Sequence, residues 1–227
     1  ICGHGEGDPG AGSSNYQEAT LVREIAPVLK NLLSKYADVT LFNPDLNMYK
    51  FLKSGKSFSF GAYDYVFELH FNAFDKKAKG TEIIVHKTEK GTSVEQMIVD
   101  NIAKLGFVNR GVKGRSDLMN MNVCKKQGVS YALLETCFID NTEDMKLYMS
   151  RKNDVIKAIA NGIIDGFGLR KSSEVKEYTD INDIVWELGE RGIVSDKEGM
   201  VKEMTENPNG RLYWLARKAV QYMREHD

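Results

Sequence analysis

With 227 residues the chain has room for one substantial domain and a small appendage, since domains commonly run to about 100–150 residues. Its 42% apolar and 28% charged residues are ordinary for a globular protein, and no apolar run approaches the ~18 residues of a membrane-spanning helix, which excludes membrane insertion by that route. A net charge of −1 offers no footprint for phosphate backbones, so nucleic acid is not an expected partner.

The sequence opens at Ile1, in what reads as the end of a strand and without an initiator Met, so preceding residues are expected. Residues 3–12 form a glycine-rich loop. From Tyr16 onward Leu21, Ile25, Val28, Leu29, Leu32 and Leu33 recur at helical spacing, which predicts a long amphipathic helix. Residues 39–42 are a short strand candidate and residues 46–53 a helix. Residues 65–71 and 81–86, rich in aromatic and β-branched side chains, predict strands; residues 93–105 predict a helix and 129–135 a buried strand. After Asn141 two helical stretches follow, the second carrying Val155, Ile156, Ile159, Ile163 and Ile164 on one face. Alternating strands and helices imply an α/β fold, with a mostly parallel twisted sheet flanked by helices on both faces.

The expected domain spans residues 1–168. A polar stretch without apolar period, residues 169–178, reads as a linker, and residues 179–227 as a small all-helical module with helices near 181–188, 197–204 and 211–223. A module this small sits at the lower limit for folding alone. Its aromatic residues Trp186, Tyr213, Trp214 and Tyr222 suit either a small core or sugar stacking, so wall binding and homodimer formation both stand as roles. Cys2, Cys124 and Cys137 are odd in number and widely spaced, which fits buried thiols rather than a disulfide framework or a structural zinc site.

Ligands of open α/β sheets bind beyond the carboxyl ends of the strands, so titratable residues there are the ones to inspect. His4 follows the opening strand, His70 closes the strand at 65–69, and Glu135 closes the one at 129–134. Glu18 lies in the first turn of the helix that leaves the glycine loop. Two histidines and a carboxylate leave one position of a tetrahedral zinc open to water, the arrangement of several catalytic zinc hydrolases. A second carboxylate, Glu135, would then move protons from the water to the leaving nitrogen. Each residue also has a plainer reading. Glu18 lies three residues after Asn15 and suits a helix-capping arrangement; His4 or His70 alone suits a hydrogen-bonded structural histidine. Glu135 is harder to dismiss, because a carboxylate in so apolar a strand is penalised unless paired or metal-bound. His86 and His226 have no acidic companion at a strand end and read as bystanders.

The run Gly3, His4, Gly5, then Asp8, Pro9, Gly10, Ala11 and Glu18 resembles the N-terminal signature of the zinc-dependent N-acetylmuramoyl-L-alanine amidases of type 3. His70, Asn72 and Ala73 resemble that family's second histidine motif, and Leu134, Glu135, Thr136, Phe138 and Asn141 its catalytic glutamate motif. Residues 109–113 are similar to a further family segment. The resemblance implies one zinc per chain held by His4, Glu18 and His70, with Glu135 as catalytic acid/base acting on a metal-bound water. It further implies Asn72 and Arg110 as substrate-binding residues, peptidoglycan as partner, and action on the bacterial cell wall after synthesis in the cytoplasm. Two departures stand out: Glu6 and Gly7 where a second glycine commonly follows the first motif, and Glu68 where a serine often precedes the second histidine. Phage and prophage endolysins of the family often share the latter. A zinc hydrolase of another cell-wall amide and a non-catalytic glycan-binding module are the competing readings.

Overall fold

The computed structural model describes residues 1–5, 7–13, 15–170, 181–190, 192–206 and 216. The chain divides into two compact units, Ile1–Arg170 and Lys171–Asp227.

The first unit is built on a four-stranded sheet. Its strands are β1 (Tyr65–Asn72), β2 (Thr81–His86), β3 (Asn109–Arg115) and β4 (Ser130–Phe138), in the spatial order β1-β4-β2-β3. β1 runs parallel to β4 and β2 parallel to β3, while β2 and β4 are antiparallel, so the sheet is mixed but mostly parallel. β4 lies between two neighbours and is apolar on both faces, as a central strand must be. Ala132 and Leu134 point into one core with Leu69, Phe71, Ile83 and Val85, and helices α1 (Glu18–Leu33), α3 (Ser93–Ala103) and α5 (Thr142–Gly166) cover it. Tyr131 and Leu133 point the other way, into a second cluster with Val66, Ile84, Met121 and Cys124, beneath α2 (Met48–Lys53) and α4 (Met119–Lys126). Ahead of α1, Cys2 bridges Leu69 in parallel and Gly3 N donates to Leu69 O, an isolated bridge beside β1 where the end of a strand was expected. The three cysteines are buried and free.

The helix read from Tyr16 onward begins in the structure at Glu18 and buries Leu21, Val22, Ile25, Ala26, Leu29 and Leu33. The two stretches expected after Asn141 are both present, running on from one another within α5 and separated by a kink at Arg151, whose φ of −128° leaves the helical region. Asn141 caps it, its Oδ1 accepting from Glu143 N and Asp144 N. Residues 39–42 do not form a strand. Val39 and Leu41 lean on the main core while Phe42 packs against the second cluster, so the segment is held by its side chains and not by a ladder. Neither β3, a polar edge strand, nor α4, whose buried face is only Asn120, Met121 and Cys124, had a counterpart in the sequence reading.

In the second unit, α6 (Ile181–Glu190) and α7 (Lys197–Glu206) bury Ile184, Val185, Leu188 and Met204 around Ala216. Trp186 is exposed, with the Lys197 ammonium 4.1 Å from its ring centroid. The helix expected at 211–223 lies outside the described residues except for Ala216, as do Tyr213, Trp214, Tyr222 and His226, and the linker beyond Arg170. No helix among the described residues is long and apolar enough to cross a membrane.

The α3–α5 contact depends on small residues. A Cβ on Gly162 would lie 2.7 Å from Ile98 Cα, closer than the backbone of α3 allows. Gly162→Ala gains up to about 1 kcal/mol of helix propensity but overpacks the contact, at a cost of about 1–3 kcal/mol. The expected outcome is a net loss of stability, read as a lower denaturant midpoint with an unchanged slope.

Candidate metal centre and active site

The site lies at the carboxyl ends of β1 and β4, on the side covered by α2 and α4. Alternation along the strands puts Val66, Glu68 and His70 on that side of β1, and Tyr131, Leu133 and Glu135 on that side of β4. His70 and Glu135 are register partners. Immediately afterwards β4 carries an extra residue before Asn72 meets Phe138, so the ladder bulges at the site itself. Both strands run beyond these residues, to Asn72 and Phe138, so His70 and Glu135 precede the strand ends instead of closing them.

His4 is delivered by the glycine loop in a left-handed backbone conformation, φ 59°, that non-glycine residues seldom adopt. Arg23, which sequence reasoning missed, holds it there. Its Nε donates to Pro44 O, Nη1 to Gly3 O and Ala19 O, and Nη2 to His4 O. Gly10, at φ 69°, allows the loop to close over the ring: a Cβ there would lie 2.6 Å from His4 Cδ2 and 2.7 Å from Glu18 Oε2.

Glu18 is not a capping residue. The helix N-cap is Gln17 and makes no side-chain cap bond; the Glu18 carboxylate turns inward and is buried. Its Oε2 accepts from Ala11 N at 2.8 Å and lies 3.1 Å from His4 Nε2; its Oε1 accepts from Phe71 N at 2.9 Å and lies 2.8 Å from His70 Nδ1. The two imidazoles meet edge to face, with centroids 5.0 Å apart. Among the described residues His4, Glu18 and His70 form the one group of three metal-type side chains whose donor atoms all lie within 4.8 Å of one another. The remaining histidine nitrogens face carboxylates: His4 Nδ1 lies 3.0 Å from Asp8 Oδ2, and His70 Nε2 lies 3.1 Å from Glu68 Oε1.

The electrostatics point to a position that demands positive charge. Burial alone would raise Glu18 and lower His70. The hydrogen bonds between them prevail, holding Glu18 down to about 2 and His70 up to about 10, and His4 is raised also. Two imidazoliums bring the same charge as one divalent cation held by neutral rings, so protons and a cation are interchangeable here. Two imidazoles with one carboxylate suit zinc better than magnesium or calcium, which favour oxygen.

Glu135 behaves in the opposite way. Its Oε2 is buried and has no hydrogen-bond partner among the described residues. Burial pushes its carboxyl up to about 7, helped by Glu18 and Glu82 and opposed by His70 and His4. Such a group is poised to exchange a proton near neutrality. Glu82, also missed from sequence, is the register partner of Glu135 on β2 and is buried. It gathers the two residues expected to bind substrate. Asn72 Nδ2 donates to Glu82 Oε1 at 2.8 Å, and Arg110 Nε donates to Glu82 Oε2 at 2.9 Å with its guanidinium 4.9 Å from the centre of the Phe138 ring. A bulge between Thr81 and Ile83 in the β2–β3 ladder turns Arg110 toward this pair. The desolvation argument that singles out Glu135 applies equally to Glu82 in the apolar run of β2, and was the available signal. His86 bonds Thr88 and takes no part.

The fold and site define an α/β domain with a His-Glu-His metal-type cluster beside a neutral-range carboxyl group. Residues 1–165 match the Amidase_3 family, N-acetylmuramoyl-L-alanine amidase, and the chain belongs to that family, which is zinc-dependent. It is 30% identical over 183 residues to a probable autolysin of Staphylococcus aureus, a match that covers 73% of this chain but only 37% of that protein. It is 28% identical over 178 residues to the N-acetylmuramoyl-L-alanine amidase CwlM of Bacillus licheniformis, covering 75% of this chain and 68% of that one. Among solved structures, the catalytic domain of the CD27L endolysin targeting Clostridia difficile superposes with a TM-score of 0.59 at 26% identity, over 72% of this chain and 94% of that domain.

Arg110 and Glu82 set the field around Glu135. Removing the guanidinium in Arg110→Ala leaves Glu82 as an unpaired anion and raises the carboxyl of Glu135 further. An acid–base group must be ionised to take a proton, so activity falls as pH drops through its pKa. The acid limb of the wild-type pH–rate profile is expected near pH 7, and that of Arg110→Ala at higher pH; an unshifted limb would separate Glu82 from the site.

Proposed function

We propose that this chain hydrolyses the amide joining the lactyl carboxyl of N-acetylmuramic acid to L-alanine in peptidoglycan, with one zinc held by His4, Glu18 and His70. The observation that carries the reading is the orphaned, buried carboxyl of Glu135 beside that cluster in a chain of this family. When bound, zinc supplies Lewis-acid polarisation of the amide carbonyl and acidifies water. Glu135 accepts the proton of the attacking water as the C–O bond forms. It then returns that proton to the alanine nitrogen as the C–N bond breaks, leaving a muramic carboxylate and a free stem-peptide amine. His4, Glu18 and His70 would hold the metal. The Asn72 amide is engaged at both ends, by Glu82 and by Ala73 N, so it acts on substrate by holding Glu82. Arg110, half-buried beside it, presents the outer edge of its guanidinium to the carboxylates of the stem peptide.

Purified peptidoglycan digested with the wild type is expected to yield intact stem peptides with free L-alanine amines by mass spectrometry. Cleavage elsewhere would indicate another cell-wall amide. Glu135→Ala is expected to keep zinc and lose activity by about a hundredfold or more. His4→Ala and His70→Ala are expected to lose most of the metal. Because His70 is held up to about 10 and so keeps its proton in the metal-free protein, zinc binding releases protons and tightens as pH rises from 6 to 8. Calorimetry in buffers of different ionisation enthalpy reads that release.

We further propose residues 1–168 as the catalytic domain, 169–178 as a linker, and 179–227 as a module that anchors the enzyme to the wall or pairs two copies. A chain ending at Arg170 is then expected to fold, bind zinc and cleave soluble muropeptides at the wild-type rate, because every proposed site residue precedes the cut. Weaker binding to intact walls would identify an anchor. A smaller sedimenting particle would identify a dimer element, and loss of zinc or of folding would overturn the boundary.

A further inference from the structure

We infer that Glu68 is a positioning residue for His70: it holds the imidazole by Nε2, keeps Nδ1 turned toward Glu18, and thereby sets how tightly the site takes its metal. The inference rests on the reading of His4, Glu18 and His70 as ligands.

Strand alternation places Glu68 two residues before His70 on the same side of β1, facing a cluster that is otherwise apolar: Val66, Met121, Cys124 and Leu133. Glu68 is 4% exposed. A carboxylate in such surroundings is costly unless its oxygens are satisfied. Here three elements converge to satisfy them. Asn120 Nδ2 from α4 donates to Oε1 at 3.0 Å and to Oε2 at 2.9 Å; the Tyr131 hydroxyl from β4 donates to Oε2 at 2.5 Å; and His70 Nε2 lies 3.1 Å from Oε1. Nothing in the packing of this cluster asks for a charge. The arrangement serves the one member that leads out of it, His70. A neutral imidazole that gives its Nε2 proton to Glu68 carries its lone pair on Nδ1, the nitrogen 2.8 Å from Glu18 Oε1 at the centre of the cluster. A carboxylate behind a ligand histidine fixes its tautomer and ring plane and raises its basicity, and its loss typically costs 10- to 100-fold in metal affinity. A serine at this position would carry its hydroxyl on Cβ and be too short to meet Asn120, Tyr131 and His70 together.

The test is the zinc dissociation constant of the full chain, measured by competition with a chromophoric chelator at fixed pH, with folding followed by circular dichroism and thermal unfolding. Glu68→Ser is expected to bind zinc about 10- to 100-fold more weakly while remaining folded. Glu68→Gln, which keeps an acceptor for Nε2–H, is expected to recover most of that loss, a rescue that a merely structural role would not produce at the metal. Tyr131→Phe, nearly isosteric, is expected to weaken binding a few-fold, and it decides the matter should Glu68→Ser not fold. Wild-type zinc affinity in folded Glu68→Ser or in Tyr131→Phe overturns the role of Glu68, as does Glu68→Gln binding no better than Glu68→Ser. A wild type that binds no zinc removes the ligand assignment, and this inference with it.

Discussion

The first unit depends on one buried carboxylate. Glu18 joins three parts of the chain that secondary structure alone would leave separate: the glycine loop through Ala11 N, the end of β1 through Phe71 N, and both histidines through its two oxygens. A charge this deeply buried is tolerable only because each oxygen has a backbone donor as well as a histidine partner. Without those partners the first turn of α1 would have an isolated anion against an apolar sheet. The same contacts that make Glu18 affordable therefore bring the metal-type donors together.

A gradient of charge runs across the carboxyl end of the sheet. On the β1 side Glu18 and Glu68 are surrounded by donors and lie at about 2, well below the ordinary carboxylate range. One strand over, Glu135 has an orphaned oxygen and lies near 7. One strand further, Glu82 is neutralised by Arg110 and bonded by Asn72. Three neighbouring positions thus have three different charge environments, set by what each carboxylate can reach.

Much of this was legible in the residues, and the part that was not has a physical cause. The bounds of β2 agree with the expected 81–86, because five consecutive buried side chains can hardly be read otherwise. His70 and Glu135 stood out because a titratable group in an apolar run is expensive without a purpose, whereas Glu18, whose spacing from Asn15 suits a cap equally well, stood out only through the family resemblance. β3 was invisible for the converse reason: as an edge strand of Asn, Arg, Gly and Lys it buries little, and edge polarity resembles a loop. Residues 39–42 misled because their apolar side chains divide between two cores, which alternation alone also produces in a strand. Arg23 and Glu68 do their work through partners 19 or more residues away, Arg23 with His4 and Gly3, and Glu68 with Asn120 and Tyr131, and no local spacing reveals such a contact.

The placement of β4 between β1 and β2 divides the site into parts that differ in how freely they can change. Glu135 rides on a strand bonded on both sides, so its backbone moves only if two ladders break. Arg110 sits at the start of the edge strand, and the glycine loop is held by the side chains of Arg23 and Glu18 together with backbone bonds such as Asp8 N to Gly5 O and Ala19 N to Pro9 O. New loop lengths or edge residues can therefore reshape the rim around Glu135 and His70 while these two register partners keep their places on the sheet. A scaffold divided in this way can change what its rim admits without rebuilding its centre.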